Sequence, residues 1–303
     1  MKIGIIGAGA MGCLYGSWLS KANEVTMICN RKEQSDEINQ NGIKVYENDD
    51  SCHIFKQNVS ACLSGECTEH FDLIIILTKT YDTDKAILKN KRIITNDTRV
   101  LTLQNGDNIE TFEKYFSKDN IYVGVNKQNS VTLGNGIIKH CGNGMTYIGA
   151  DNVEKDASDI VGLFNEAGFK TVESKSIRRM IWEKIFVNSS LNSFSAIVRG
   201  PFGVCFKSEY ALLFMNNLIS EAVEVANADG YDFAYEETFN MVKDACDGAA
   251  NGYSSMTQDV MNKRKTEIDS INGYVVKKAE LYNIEVPYHK TVLNLVHAIE
   301  STY

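Results

Sequence analysis

Short apolar, β-branched runs alternate with helical patterns through the first half of the chain. Residues 3–6, 25–29, 73–77, 100–103 and 121–125 are apolar almost throughout, as strands covered on both faces should be. This is the sequence form of an α/β fold with a Rossmann-type, doubly wound parallel sheet. Over 126–148 the pattern becomes alternation punctuated by Gly134-Asn135-Gly136 and Gly142-Asn143-Gly144. It predicts a small antiparallel meander with those glycines as turn residues. A helix-like stretch at 153–167 and a short strand at 169–172 follow. Beyond them, apolar spacing of three and four recurs in 178–196, 210–228, 236–245, 267–281 and 290–299, predicting an all-helical second half. The join falls near Lys175, giving domains of 1–175 and 176–303.

Gly7-Ala8-Gly9-Ala10-Met11-Gly12 has the form GxGxxG, follows the first apolar strand and opens a helical pattern. That context points to a dinucleotide. Gly7 permits the tight turn, Gly9 admits a pyrophosphate to the backbone amides, and Gly12 allows close helix–strand packing. The helix N-terminus adds partial positive charge. An NAD-binding carboxylate is expected near the end of the second strand, but the chain there reads Asn30-Arg31-Lys32. A guanidinium at that place pairs with a 2′-phosphate, so NADPH is expected; the alternative is a solvated helix start.

The run Trp182-Glu183-Lys184-Ile185-Phe186-Val187-Asn188-Ser189-Ser190-Leu191-Asn192 sets Lys184, Asn188 and Asn192 at i, i+4 and i+8, along one stripe of a helix. The residues between are largely apolar, and asparagine is a poor helix former. An ammonium and two amides on such a helix make sense if they line a cleft for a polar ligand; otherwise the stripe faces solvent.

Composition narrows the field. With 31 Lys and Arg against 39 Asp and Glu, the net charge of −8 argues against a nucleic-acid or anionic-membrane surface. No stretch approaches ~18 consecutive apolar residues, so no membrane span is expected. The eight cysteines form no CxxC pair and the five histidines no ligand spacing, so no metal is expected. The first residues carry glycines where a signal peptide needs a continuous apolar core, which predicts a cytoplasmic protein with reduced thiols.

Taken in order, GAGAMG, Thr78-Lys79, Gln104-Asn105-Gly106, WEKIFVNSSLN, Ser254-Ser255-Met256-Thr257-Gln258-Asp259 and Thr266-Glu267-Ile268-Asp269 resemble the ketopantoate reductase family over nearly the whole chain. The resemblance implies NADPH-dependent reduction of 2-dehydropantoate to pantoate, in pantothenate and coenzyme A biosynthesis. It implies a catalytic role for Lys184 and substrate contacts by Asn105, Asn188, Asn192 and Ser255. It further implies that Lys79, Asn105, Ser130 and Glu267 serve the cofactor or active centre. Thr266 and Asp269 have the form of a capping box, which places Glu267 in a helix's first turn. Phe202 stands where the family has a substrate-contacting asparagine, and Asn192-Ser193 where it commonly has Asn-Pro. Two alternatives therefore remain, a reductase of another small-molecule 2-oxo acid and a non-catalytic dinucleotide sensor. A largely helical second domain can also present a homodimer face.

Overall fold

In the computed structural model, which describes residues 1–303, the β-branched runs of the first half condense into one sheet. The strands in chain order are β1 (Lys2–Ile6), β2 (Glu24–Cys29), β3 (Ile43–Tyr46), β4 (Cys52–Phe55), β5 (Val59–Leu63), β6 (Leu73–Ile76), β7 (Arg99–Thr102), β8 (Ile121–Asn126), β9 (Asn129–Gly134), β10 (Ile137–Gly142), β11 (Thr146–Ala150) and β12 (Thr171–Glu173). Between them run α1 (Ala10–Leu19), α2 (Lys32–Asn41), α3 (Thr83–Lys89), α4 (Ile109–Phe112) and α5 (Ser158–Glu166). The large sheet has the order β12-β11-β8-β7-β6-β1-β2-β5. From β5 to β8 every pairing is parallel, and β11 and β12 run the other way. Every residue of β6 is buried, as expected of a strand covered on both faces. The strand order reverses its direction of growth at β1, so the crevice beyond the ends of β1 and β6 is the topological switch point of the sheet.

The meander expected over 126–148 is not one. β9 and β10 form an antiparallel hairpin, but β10 then pairs in parallel with β3, and β3 with β4, as a separate four-stranded sheet. Its apolar side chains Ile43, Val45 and Ile138 join Cys13 and Leu14 of α1 in the core, so α1 lies between two sheets. Only the first Gly-Asn-Gly is a hairpin turn. The second passes so close to Lys127 that a Cβ on Gly144 would lie 2.3 Å from the Lys127 carbonyl oxygen, and it returns the chain to β11 in the large sheet. The last short strand is also two residues later than its apolar signal.

The second half is helical: α6 (Ile177–Val187), a π-turn (Asn188–Asn192), α7 (Ser193–Val198), α8 (Glu209–Ala228), α9 (Tyr235–Asp247), α10 (Ser255–Met261), α11 (Ile268–Tyr282) and α12 (Pro287–Glu300). The chain divides into two units, the first comprising Met1–Gln104 and Asn108–Ile177, the second Arg178–Tyr303 together with Asn105–Asp107. Within the second, Asp229 accepts from Trp182 Nε1 (3.0 Å), Lys278 Nζ (2.9 Å) and Tyr282 Oη, tying α6 and α11 to the end of α8. No helix is long and apolar enough to cross a membrane.

Candidate active site

The glycine loop lies at the switch point of the first unit. Gly7 has φ +105°, and a Cβ there would lie 2.7 Å from the Thr78 nitrogen, so the loop rests against the segment leaving β6. A Cβ on Gly12 would lie 1.9 Å from the Gly7 carbonyl oxygen. Gly9 is different: it is exposed, caps α1 without a side chain, and a Cβ there would meet nothing within 4 Å. Nothing in the protein requires glycine at position 9, which is the position that the dinucleotide reading of GxGxxG leaves open for a pyrophosphate. Gln34 of α2 donates to the Ala8 carbonyl and holds the loop from the other side. Arg31, exposed at the N-cap of α2, donates from Nη2 to Asn135 Oδ1 (2.9 Å) in the β9–β10 turn. That turn, expected to be purely structural, thus orients the one guanidinium proposed for the cofactor.

Lys79 caps a short 3-10 turn after β6, and Gln104 Nε2 bridges to the Thr78 carbonyl (2.6 Å) and Thr83 Oγ1 (2.8 Å). These place the chain after β6 and β7 beside the glycine loop. Ser130 lies on β9 in the second sheet, where its hydroxyl donates to the Lys139 carbonyl (3.1 Å).

In the second unit, α6 carries Lys184, partly buried and flanked in sequence by buried Trp182, Ile185 and Phe186. Burial pushes the Lys184 ammonium down to about 8, while the Glu267 carboxylate opposes the fall. Glu267 is itself buried, and its Oε2 accepts from Asn105 Nδ2 (3.0 Å). Asn105 reaches it because Gly106, at φ +74°, passes so close to α11 that a Cβ would lie 2.1 Å from the Ser270 carbonyl oxygen.

The continuous α-helical stripe needs correction. From Lys184 to Asn188 an α-helix advances about 40° beyond a full turn, whereas the wider π-turn from Asn188 to Asn192 falls back by about 30°. The three side chains are consequently better aligned than in an unbroken helix. Asn192 is buried, and neither its amide nor that of Asn188 is engaged by another protein side chain. The Ser189 carbonyl, which an α-helix would offer to the Ser193 N–H, accepts from the Ser193 hydroxyl.

The Thr266–Asp269 capping box is also corrected. Glu267 is the N-cap of α11 rather than part of its first turn. Thr266 donates its N–H to Glu300 Oε1 (2.7 Å), and Asp269 pairs with His297 Nε2 (2.8 Å). Thr266 Oγ1 still accepts from the Ile268 N–H (3.2 Å).

Ser255 is exposed in the first turn of α10, and its neighbour Ser254 does the structural work that sequence reading missed. Ser254 Oγ accepts from the Thr257 N–H (2.9 Å) and lies 3.2 Å from Ser195 Oγ, which in turn donates to the Asn192 carbonyl (3.1 Å). The end of the π-turn and the start of α10 therefore share one buried hydroxyl cluster. Phe202 joins the same region, since its N–H donates to the Gly252 carbonyl (2.9 Å), two residues before Ser254. A Cβ on Gly252 would lie 3.8 Å from its ring.

Two family models match the chain, "Ketopantoate reductase PanE/ApbA" over residues 3–152 and "Ketopantoate reductase PanE/ApbA C terminal" over 176–300. The 2-dehydropantoate 2-reductase of Streptococcus pyogenes serotype M3 is 34% identical over 309 residues, covering 99% of this chain and 98% of that protein. Among solved structures, a D-mandelate dehydrogenase in ternary complex with NADH and anilino(oxo)acetate superposes with a TM-score of 0.93 at 29% identity, covering 100% of this chain and 99% of its own. A PanE/ApbA family ketopantoate reductase from Ralstonia eutropha JMP134 gives 0.90 at 27% identity, with the same coverage.

Proposed function

Because the chain belongs to the ketopantoate reductase family, we propose that it reduces 2-dehydropantoate to pantoate with NADPH, serving pantothenate and coenzyme A biosynthesis in the cytoplasm. The observation that carries this reading is Lys184, a desolvated ammonium facing the Glu267 carboxylate, on the helix that also bears two unengaged amides.

The first unit binds the cofactor and the second the substrate. Backbone amides at Gly9, Ala10 and Met11 would hold the pyrophosphate and Arg31 the 2′-phosphate, with Lys79 and Ser130 serving the cofactor's further contacts. A dihydronicotinamide held there would supply the hydride for the C2 ketone. Lys184 places positive charge at the ketone oxygen and delivers the proton that completes the alcohol. An ammonium lowered to about 8 gives up that proton more readily than an ordinary lysine and recovers it from water near neutral pH. Glu267, steadied by Asn105, keeps Lys184 protonated enough to act as an acid. Asn188, Asn192 and Ser255 offer neutral donors and acceptors for the substrate carboxylate and hydroxyl.

Following NADPH oxidation across a panel of 2-oxo acids tests this directly. Ketopantoate should show the highest kcat/KM, and a silent panel would leave a non-catalytic dinucleotide sensor. Phe202 favours a second reading, a reductase of a 2-oxo acid with an apolar side chain, because an aromatic ring beside Gly252 cannot bond a substrate hydroxyl as an amide does. If that reading holds, the analogue of ketopantoate lacking the hydroxyl will be preferred, and Phe202→Asn will reverse the order.

Cofactor choice has its own test. Arg31→Ala should raise KM for NADPH roughly 10- to 100-fold and leave KM for NADH unchanged, as expected for a lost charge-assisted contact. Asn135→Ala, which frees the guanidinium without removing it, should act in the same direction more weakly. Equal efficiency with both cofactors in the unmodified enzyme would reject the assignment of Arg31.

A further inference from the structure

The π-turn that aligns Asn188 and Asn192 is held from outside its own helix. Its Ser189 carbonyl accepts from Nδ2 of Asn272, a fully buried amide on α11, at 2.8 Å. The same Nδ2 lies 3.2 Å from Nδ1 of His289 on α12, whose Nε2 lies 3.0 Å from the Leu218 carbonyl of α8. The protons follow from the partners. A carbonyl only accepts, so His289 carries its hydrogen on Nε2, and Nδ1 is left as an acceptor. Asn272 thereby directs one hydrogen to His289 and the other to Ser189. Burial pushes His289 down to about 4, which agrees with a neutral ring.

A purely stabilising role fits this arrangement poorly. Asn272 Oδ1 and Ser189 Oγ are both buried with no hydrogen-bond partner, so the network carries two desolvated polar atoms that a side chain selected for stability alone would not bring. What the amide does accomplish is to occupy the Ser189 carbonyl, together with the Ser193 hydroxyl. With two donors on that carbonyl, it is no longer open to the Ser193 N–H as the i→i−4 acceptor an α-helix would use, and the chain stays in the wide winding.

Building on the reading of this helix as the substrate site, we propose that Asn272 and His289 are positioning residues for the 2-oxo acid. They touch neither substrate nor cofactor and act by fixing the π-turn. Released to an α-helical winding, Asn192 would rotate by about 70° relative to Asn188.

The test compares Asn272→Leu, His289→Leu and His289→Asn in the full-length protein, using the best 2-oxo acid of the panel. Asn272→Leu and His289→Leu should raise KM for the oxo acid about 10- to 100-fold with a smaller change in kcat. Neither should alter KM for NADPH. His289→Asn, which can restore an acceptor facing Asn272, should recover most of the loss. An unchanged oxo-acid KM in folded Asn272→Leu, or equal losses in both His289 variants, would overturn the proposal, and if Asn272→Leu does not fold, the His289 pair decides alone. Turnover by the unmodified enzyme separates the two levels: its absence defeats the functional reading and this proposal together, whereas turnover with unaffected variants defeats this proposal only.

Discussion

Lys184→Ala should lower kcat for oxo-acid reduction by ~10²- to 10⁴-fold, the range for a lost general acid, with NADPH affinity retained. The pH dependence gives an independent signature. With Lys184 as the proposed acid, reduction draws on the ammonium, so its rate should fall as pH rises through about 8, the value to which burial brings Lys184. The reverse oxidation requires the neutral amine as base and should rise through the same pH. Stability follows the same sign: between about 8 and the ordinary lysine value, an unfolded Lys184 holds a proton that the folded one has released, so its contribution to folding improves with pH over that window. Stopped-flow rates in both directions would expose an error, because flat profiles from pH 6 to 10 would assign the proton to another group.

Gly9→Ala should abolish tight NADPH binding without harming the fold. Position 9 has ordinary extended backbone (φ −76°, ψ −167°), and its added methyl meets no protein atom within 4 Å, so the melting temperature should stay within a degree or two. The methyl instead occupies the approach of the pyrophosphate, and a loss of about 100-fold in affinity is expected. Gly12→Ala is the contrasting case. Its methyl would sit 1.9 Å from the Gly7 carbonyl oxygen, so the loop must open, and both melting temperature and affinity should fall. Fluorescence titration and thermal melts distinguish the two; normal NADPH affinity in Gly9→Ala would remove the glycine loop from the cofactor site.

The parts of the fold visible in the sequence were those with a strong local period. β1, β2, β6, β7 and β8 are buried apolar runs, and the long helices repeat at three and four. The second sheet was hidden because β4 is exposed along most of its length and shows no alternation, and because β3 pairs with β10 across some 90 residues. At the site, the spacing of Lys184, Asn188 and Asn192 was legible, and the π-turn was not. Asn-Ser-Ser-Leu-Asn has the same polarity in either winding, and the choice rests on Asn272, 83 residues further on. Adjacent Ser254 and Ser255 were likewise indistinguishable until the backbone showed which one caps α10.

The grouping of Asn105–Asp107 with the helices bears on the order in which the enzyme is assembled. The Asn105–Glu267 hydrogen bond spans 162 residues and the one between Tyr274 and Asp107 spans 167. The glycine loop, Arg31 and the Asn135 turn all lie within the first 177 residues and can fold while synthesis continues, at roughly 5–20 residues per second. The surroundings of Lys184 must wait for α11. A nascent chain halted before Glu267 should therefore capture NADPH yet leave Lys184 without the carboxylate that tunes it, so cofactor retention precedes turnover by several seconds of translation.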